Sequence, residues 1–255
     1  MLIVDPHVHI GHDTTWDSNR TEDEVLGKMD ETGIQAAIVQ PAQFVTFEDY
    51  KTGHNRIYDF HLKHPKRIFG MFSMNPHFDE EMYRKEAERC IQKLGFVAMK
   101  LTPLTHIMSA GVKRARLPFE VARELKVPLM IHQGTGLPFS AATTFYPLIR
   151  EFSDVTVVLA HSGTTDNEME GLFLAQHCPN VYLELSVRTP NIDNIRLFAR
   201  EVGVSRMMFA SDSPDEMAHV IWECSHSGLN EEELAMVLGG TAVRAFRLEG
   251  RIGDE

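Results

Sequence analysis

Two histidines one residue apart close the first apolar run of the chain, in LIVDPHVHIGH (residues 2–12). Strand side chains alternate faces, so His7 and His9 are expected to share a face with Ile3 and Asp5, with Val4, Val8 and Ile10 on the other. The polar face needs a partner, either a metal ion or a set of ordinary hydrogen bonds. Three later apolar runs end in groups of the same chemistry: PLMIHQ (128–133) at His132, VTVVLAH (155–161) at His161 and RMMFASD (206–212) at Asp212. Imidazole nitrogen and carboxylate oxygen suit a zinc-like divalent ion. Held with an open position, such an ion brings the pKa of bound water to about 7. One histidine at a strand end is ordinarily hydrogen-bonded filler. Four histidines and an aspartate at matching strand ends favour the metal.

The elements that must position these groups are short and evenly spaced. To the four runs above are added IQAAIVQ (34–40), RIFGMFSMN (67–75), FVAMKLT (96–102) and VYLELS (181–186), eight in all. Most are continuously apolar, as strands of a parallel sheet covered on both faces should be. Helical spacing falls between them, in EEMYRKEAERCIQKLG (80–95) and NIDNIRLFAREVG (191–203), each stopped by a glycine. Thr21 and Glu24 open another helix with a capping-box pattern. NEEELAMVLGGTAVRAFRL (230–248) reads as a helix, a Gly-Gly break and a closing helix. Eight strand–helix alternations in 255 residues predict an α/β chain folded as one (β/α)8 TIM-barrel domain over residues 1–255. Neither a GxGxxG nor a P-loop supports the alternative, an open doubly wound sheet. Pro6 fits a closed barrel badly and demands a bulge or an irregular ladder.

Strand ends are where a barrel of this kind does its chemistry. In order they offer His7 and His9, Gln40, Asn75, Lys100, His132, His161, Ser186 with Arg188 just beyond, and Asp212. Lys100 and Arg188 are the candidates for holding a substrate carboxylate. Trp16 and the loop HQGTGLPFS (132–140) could cover the site. His12, His77 and His106 follow strands and could line it. His54, His61, His64, His177, His219 and His226 fall in helical or turn patterns and are expected in solvent.

The formal net charge is −11, and no long Lys/Arg run is present, which disfavours nucleic acid and anionic membranes as partners. A small anionic substrate remains compatible with a locally positive site. Three cysteines far apart, without a CxxC pair, suggest free buried thiols in a reducing, cytoplasmic setting. The first apolar run is too short for a signal peptide, and no run approaches a membrane span.

DPHVHIG, GFVAMKLTP, VPLMIHQGTG, VTVVLAHSG, VYLELS and MMFASDSP resemble the amidohydrolase superfamily, in particular the amidohydrolase-related branch that includes aminocarboxymuconate semialdehyde decarboxylase. The resemblance implies a (β/α)8 barrel with a divalent metal, commonly zinc, at its mouth. By motif it implies His7, His9, His132 and Asp212 as ligands. It gives His161 either a ligand role in binuclear members or a role on substrate or bound water in mononuclear ones. One ion is the expectation, and two if Lys100 is carboxylated. Thr102 stands where this branch often has histidine, and no asparagine follows the two glycines of LGGTA. The resemblance also implies dimers or larger assemblies.

The first expectation is hydrolysis of a small amide, ester or lactone, with Asp212 or His161 accepting the proton of metal-activated water. The alternative is non-oxidative decarboxylation of a cyclic or unsaturated carboxylic acid, with His161 managing the proton. The same residues serve both.

Overall fold

The computed structural model describes residues 1–13, 17–42, 46–134, 139–162, 168–186 and 192–253. Its strands are β1 (Val4–Asp13), β2 (Ser18–Arg20), β3 (Ala36–Pro41), β4 (Ile68–Ser73), β5 (Ala98–Leu101), β6 (Leu129–His132), β7 (Val157–Ala160), β8 (Val181–Glu184) and β9 (Met207–Met208). They form one sheet in the order β2-β1-β3-β4-β5-β6-β7-β8-β9. The pairing is parallel throughout except between β1 and β2. The eight apolar runs are all strands. The ninth, β2, lies outside those runs, just after β1. The far ends of the parallel run meet at one parallel bridge, Val8 to Asp212, where the Asp212 N–H donates to the His7 carbonyl at 2.8 Å.

The helices are α1 (Glu22–Thr32), α2 (Phe47–Lys63), α3 (Glu80–Glu88), α4 (Pro103–His106), α5 (Leu117–Leu125), α6 (Tyr146–Glu151), α7 (Glu168–His177), α8 (Ile192–Glu201), α9 (Met217–His226), α10 (Glu231–Ala235) and α11 (Thr241–Phe246). Thr21 and Glu24 satisfy each other's backbone donors at the start of α1, as the capping box requires. The expected helix over 80–95 changes at Glu88 into a π-turn, Arg89–Lys93. The Gly-Gly segment is not a break: Met236–Gly240 is a π-turn joining α10 to α11, with Gly240 in helical conformation. Gly239 is there because of a close approach, since a Cβ on it would lie 2.4 Å from the Leu2 carbonyl oxygen. Among the described residues no helix is long and apolar enough to cross a membrane. All three cysteines are buried free thiols.

Pro6 resolves the phase of β1. Asp5 pairs with Ala37 and Val8 with Val39, three steps on β1 against two on β3, so a bulge lies at Pro6–His7. Val4 packs with the inner strand residues Ile38, Met71, Met130 and Val158, whereas Val8 and Ile10 pack with the outer layer against the helices. The simple alternation expected from sequence, with Val4, Val8 and Ile10 together, is therefore wrong. One extra residue flips the phase and turns His7 and His9 inward.

The inner face changes chemistry along five of the strands. Ile38 is followed two residues on by Gln40, Met71 by Ser73, Ala98 by Lys100, Met130 by His132 and Tyr182 by Glu184. The first members belong to or pack on the inner apolar cluster. Gln40, Ser73, Lys100 and Glu184 are buried polar groups. The apolar layer lies toward the amino ends of the strands, and the polar layer at the carboxyl ends lines the candidate site.

Candidate metal centre and active site

Three atoms converge at the carboxyl ends of β1 and β9. His7 Nε2 is 3.3 Å from His9 Nε2 and 3.1 Å from Asp212 Oδ1, and His9 Nε2 is 3.4 Å from the same oxygen. Donors about 2.1 Å from one shared ion stand about 3.0–3.4 Å apart in octahedral or tetrahedral arrangement. The spacing and the donor set therefore fit a divalent cation. His132 stands edge-on to His161 with ring centroids 4.9 Å apart, and His161 lies 5.2 Å from the His7 ring. The structure thus gathers His7, His9, Asp212, His132 and His161 at one mouth. Arg188, Trp16 and residues 135–138 lie outside the described residues.

Asp212 and His161 reach the site by the same device. Both have left-handed backbones, at φ 66° and 64°. That region is uncommon for residues with a side chain and costs on the order of 1 kcal/mol or more. Each turns the chain sharply at a strand end. Hydrogen bonds hold both in place, Asp212 N–H to the His7 carbonyl and His161 N–H to Glu184 Oε2, each at 2.8 Å.

Lys100 lies on the inner face of β5 with its Nζ 2.7 Å from His7 Nε2 and 3.5 Å from Met130 Sδ. Burial lowers its pKa to about 8 against the pull of Asp212 and Glu184, leaving it mainly an ammonium at neutral pH. An ammonium only donates, so His7 Nε2 accepts and the His7 proton sits on Nδ1. That Nδ1 faces Glu184 Oε2 at 3.5 Å, a long contact.

Glu184 escaped the sequence reading, although an acid inside the apolar run VYLELS was its signal. It is fully buried. Its Oε1 accepts the Ser186 N–H at 2.8 Å, and its Oε2 accepts the Ser186 hydroxyl at 3.0 Å besides the His161 N–H. Burial raises its pKa, opposed by His161 and these hydrogen bonds. Since the Ser186 hydroxyl donates to Glu184, its oxygen accepts from His161 Nδ1–H at 2.7 Å, which places the acceptor lone pair of that ring on Nε2.

Burial first, then Lys100, depresses the His7 pKa, and burial depresses that of His161, so both rings are neutral. Burial alone would raise Asp212, but attraction to a proton shared with His7, His9 and His161, and the hydrogen bond from His9, keep its carboxyl well below the usual range. Neutral imidazoles and an ionised carboxylate are the forms that bind a cation.

Four further positions bear on the site or correct the sequence reading. Gln40 sits in register with His9 and therefore on its face. Thr102, where histidine was the family expectation, is followed one turn later by His106, whose ring folds back toward the Thr102 amide. His54, expected in solvent, is fully buried: its Nδ1 contacts Glu86 at 2.9 Å and its Nε2 the Ser73 carbonyl at 3.0 Å. The apolar positions around it in α2 hid this, since a helix face toward the sheet accepts an imidazole whose nitrogens are both partnered. Glu86 is also forked by Arg89, so the His54–Glu86–Cys90 group is a structural network.

The chain belongs to the amidohydrolase family, whose sequence pattern matches residues 4–248. No curated protein matches the chain. Solved structures match over nearly the whole length of both partners. A dihydroxybenzoic acid decarboxylase from Polaromonas sp. JS666, with bound manganese and 2-nitroresorcinol, is 17% identical, with 97% of each chain covered and a TM-score of 0.79. The 5-carboxyvanillate decarboxylase of Sphingomonas paucimobilis is 16% identical over 96% of this chain and 99% of its own, with a TM-score of 0.78. The 4-oxalomesaconate hydratase of Rhodopseudomonas palustris is 20% identical over 96% of each, with a TM-score of 0.73.

Proposed function

We propose that this protein is a divalent-metal-dependent, non-oxidative decarboxylase of a small ring or unsaturated carboxylic acid. The observation that carries the reading is the approach of His7 Nε2, His9 Nε2 and Asp212 Oδ1 to within 3.1–3.4 Å of one another, beside the buried Lys100 ammonium. Decarboxylation is preferred over hydrolysis of a small amide, ester or lactone because two of the similar structures are decarboxylases of ring acids and the third is a hydratase. In this reading the sheet works as a closed (β/α)8 barrel, a view supported by the Val8–Asp212 bridge.

We assign His7, His9, His132 and Asp212 as the ligands of one ion. Zinc suits the donors, and manganese is the ion of the Polaromonas enzyme. When bound, the ion supplies positive charge for substrate oxygens. Lys100 adds its ammonium to the attraction for the substrate carboxylate, and Arg188 is assigned the same task. The reaction breaks the bond between the substrate carbon and its carboxylate. The electron pair stays on that carbon, carbon dioxide leaves, and a proton takes its place. His161 takes that proton from solvent on Nε2 and delivers it to the carbon, its ring held by Ser186 and Glu184. Asp212, ionised at rest, stabilises the imidazolium that forms meanwhile.

The test is carbon dioxide release from a panel of hydroxybenzoic and unsaturated acids by protein loaded with Mn²⁺ or Zn²⁺, run beside a panel of lactones, esters and amides. Release of carbon dioxide from an acid supports the reading. Turnover confined to the second panel returns the site to hydrolysis.

A further inference from the structure

We propose that His106 is a substrate-recognition residue that presents its Nε2–H to a substrate oxygen in the mouth that holds Lys100. The inference deepens the decarboxylase reading and rests on it for the class of ligand, an oxygen-bearing ring acid.

His106 closes α4 and is 2% exposed. The Thr102 amide, which can only donate, lies 3.4 Å from its Nδ1. The contact is long, but its direction makes Nδ1 the acceptor and puts the ring proton on Nε2. That Nε2 is buried and has no hydrogen-bond partner among the described residues. Buried donors are nearly always satisfied, so an orphan at a site mouth points to a ligand that supplies the acceptor. The ring lies within electrostatic reach of Lys100, His132 and His77. Burial, reinforced by these neighbours, lowers its pKa to about 3, so the ring stays a neutral donor at working pH.

The backbone is bent to achieve this. Ile107, β-branched and 71% exposed, has a left-handed φ of 49°. A branched residue is unfavourable there, and no burial of its own side chain offsets the strain. The turn ends α4 after four residues, with the Met108 N–H on the Pro103 carbonyl at 3.0 Å, and folds the His106 ring back beneath the strand end. The donor complements Lys100: a carboxylate or phenol oxygen can accept from the neutral N–H while the ammonium supplies charge.

The experiment uses ¹⁵N-histidine-labelled, Zn²⁺-loaded protein, with 2-nitroresorcinol and 2,6-dihydroxybenzoate as probes. Wild type, His106→Leu and His106→Gln are compared by calorimetry, by steady-state kinetics and by ring ¹⁵N shifts, with metal content and thermal unfolding as controls of folding. The expected result is the Nε2–H form in the free protein and a ligand-induced shift of that signal. His106→Leu then loses about 10- to 100-fold in affinity, mainly through Kd and KM, and His106→Gln, which keeps an N–H, recovers most of it. A proton found on Nδ1 overturns the inference whatever the reaction. Probe binding and turnover unchanged in His106→Leu overturn it too, assigning the donor to an ordered water and leaving the decarboxylase reading intact. Failure of both probes to bind metal-loaded wild type overturns the inference, while the decarboxylase reading is decided separately by carbon dioxide release from the acid panel.

Discussion

The Lys100 ammonium meets His7 Nε2 at 2.7 Å inside the sheet, on the lone pair that a metal ion would use. Both side chains are buried, so neither can exchange this partner for bulk water. Under the proposed function this ammonium supplies positive charge for a substrate anion beside His7.

Lys100→Met follows from that contact. Methionine keeps the stem packed against Met130 and removes a charge that is costly to bury. The variant is expected to unfold at the same temperature or higher, because a buried charge is a poor source of stability. Its affinity for carboxylate probes should fall about 10- to 100-fold, since charge-assisted hydrogen bonds are the stronger ones. Calorimetric unfolding and probe titration read the two effects separately.

Elemental analysis of protein purified without chelator should find one equivalent of divalent metal. The double variant His7→Ala/His9→Ala should retain none, since it leaves His132 and Asp212 alone. Two equivalents in the native protein would instead bring a carboxylated Lys100 and His161 into the ligand set.

Glu184→Gln tests the support behind the ligands. Glutamine keeps the size but loses the charge facing His7 Nδ1 and one acceptor of the pair that holds Ser186 and His161. Metal affinity, measured by competition with a chromophoric chelator, should drop about 10- to 100-fold, the usual effect of losing a group that orients a ligand. Retained affinity would mean that packing alone sets the His7 ring.

Acid stability should depend on Glu86. Burial opposes its ionisation, but Arg89 and His54 win and bring its pKa to about 2, below the ordinary 4.5 of a glutamate. A folded pKa below the unfolded one stabilises above the unfolded pKa, and the contribution disappears as pH falls from about 4.5 toward 2. The gap corresponds to about 3 kcal/mol. His54 acts in the same direction, because burial lowers its pKa and acid must charge it on unfolding. Urea unfolding at pH 7 and pH 3 should show this loss in the native protein and a smaller pH dependence in Glu86→Gln.

Much of this was legible in the sequence. Apolar runs of four to six residues require both faces covered, and regular helical stretches between them require parallel pairing, so the α/β order could be read from burial and periodicity alone. The polar residues closing those runs could be read as a site for the same reason: a polar group at the end of an apolar strand has to find a partner. His7, His9, His132, His161 and Asp212 were visible on that ground.

The tertiary structure decided what periodicity cannot encode. The bulge at Pro6 exists because β1 spends three residues where β3 spends two, and it alone sets which face His7 and His9 occupy. The left-handed turns at His161 and Asp212 override strand alternation, and they are held by bonds to Glu184 and His7, distant in the chain. Glu184 looked like one acid in an apolar run until burial joined it to His7, His161 and Ser186, and His54 looked like a surface helix residue until Glu86 and the Ser73 carbonyl closed around it. Local sequence fixes which way a segment tends to fold. Which polar atoms share a partner depends on chain segments far apart in sequence meeting where water is excluded.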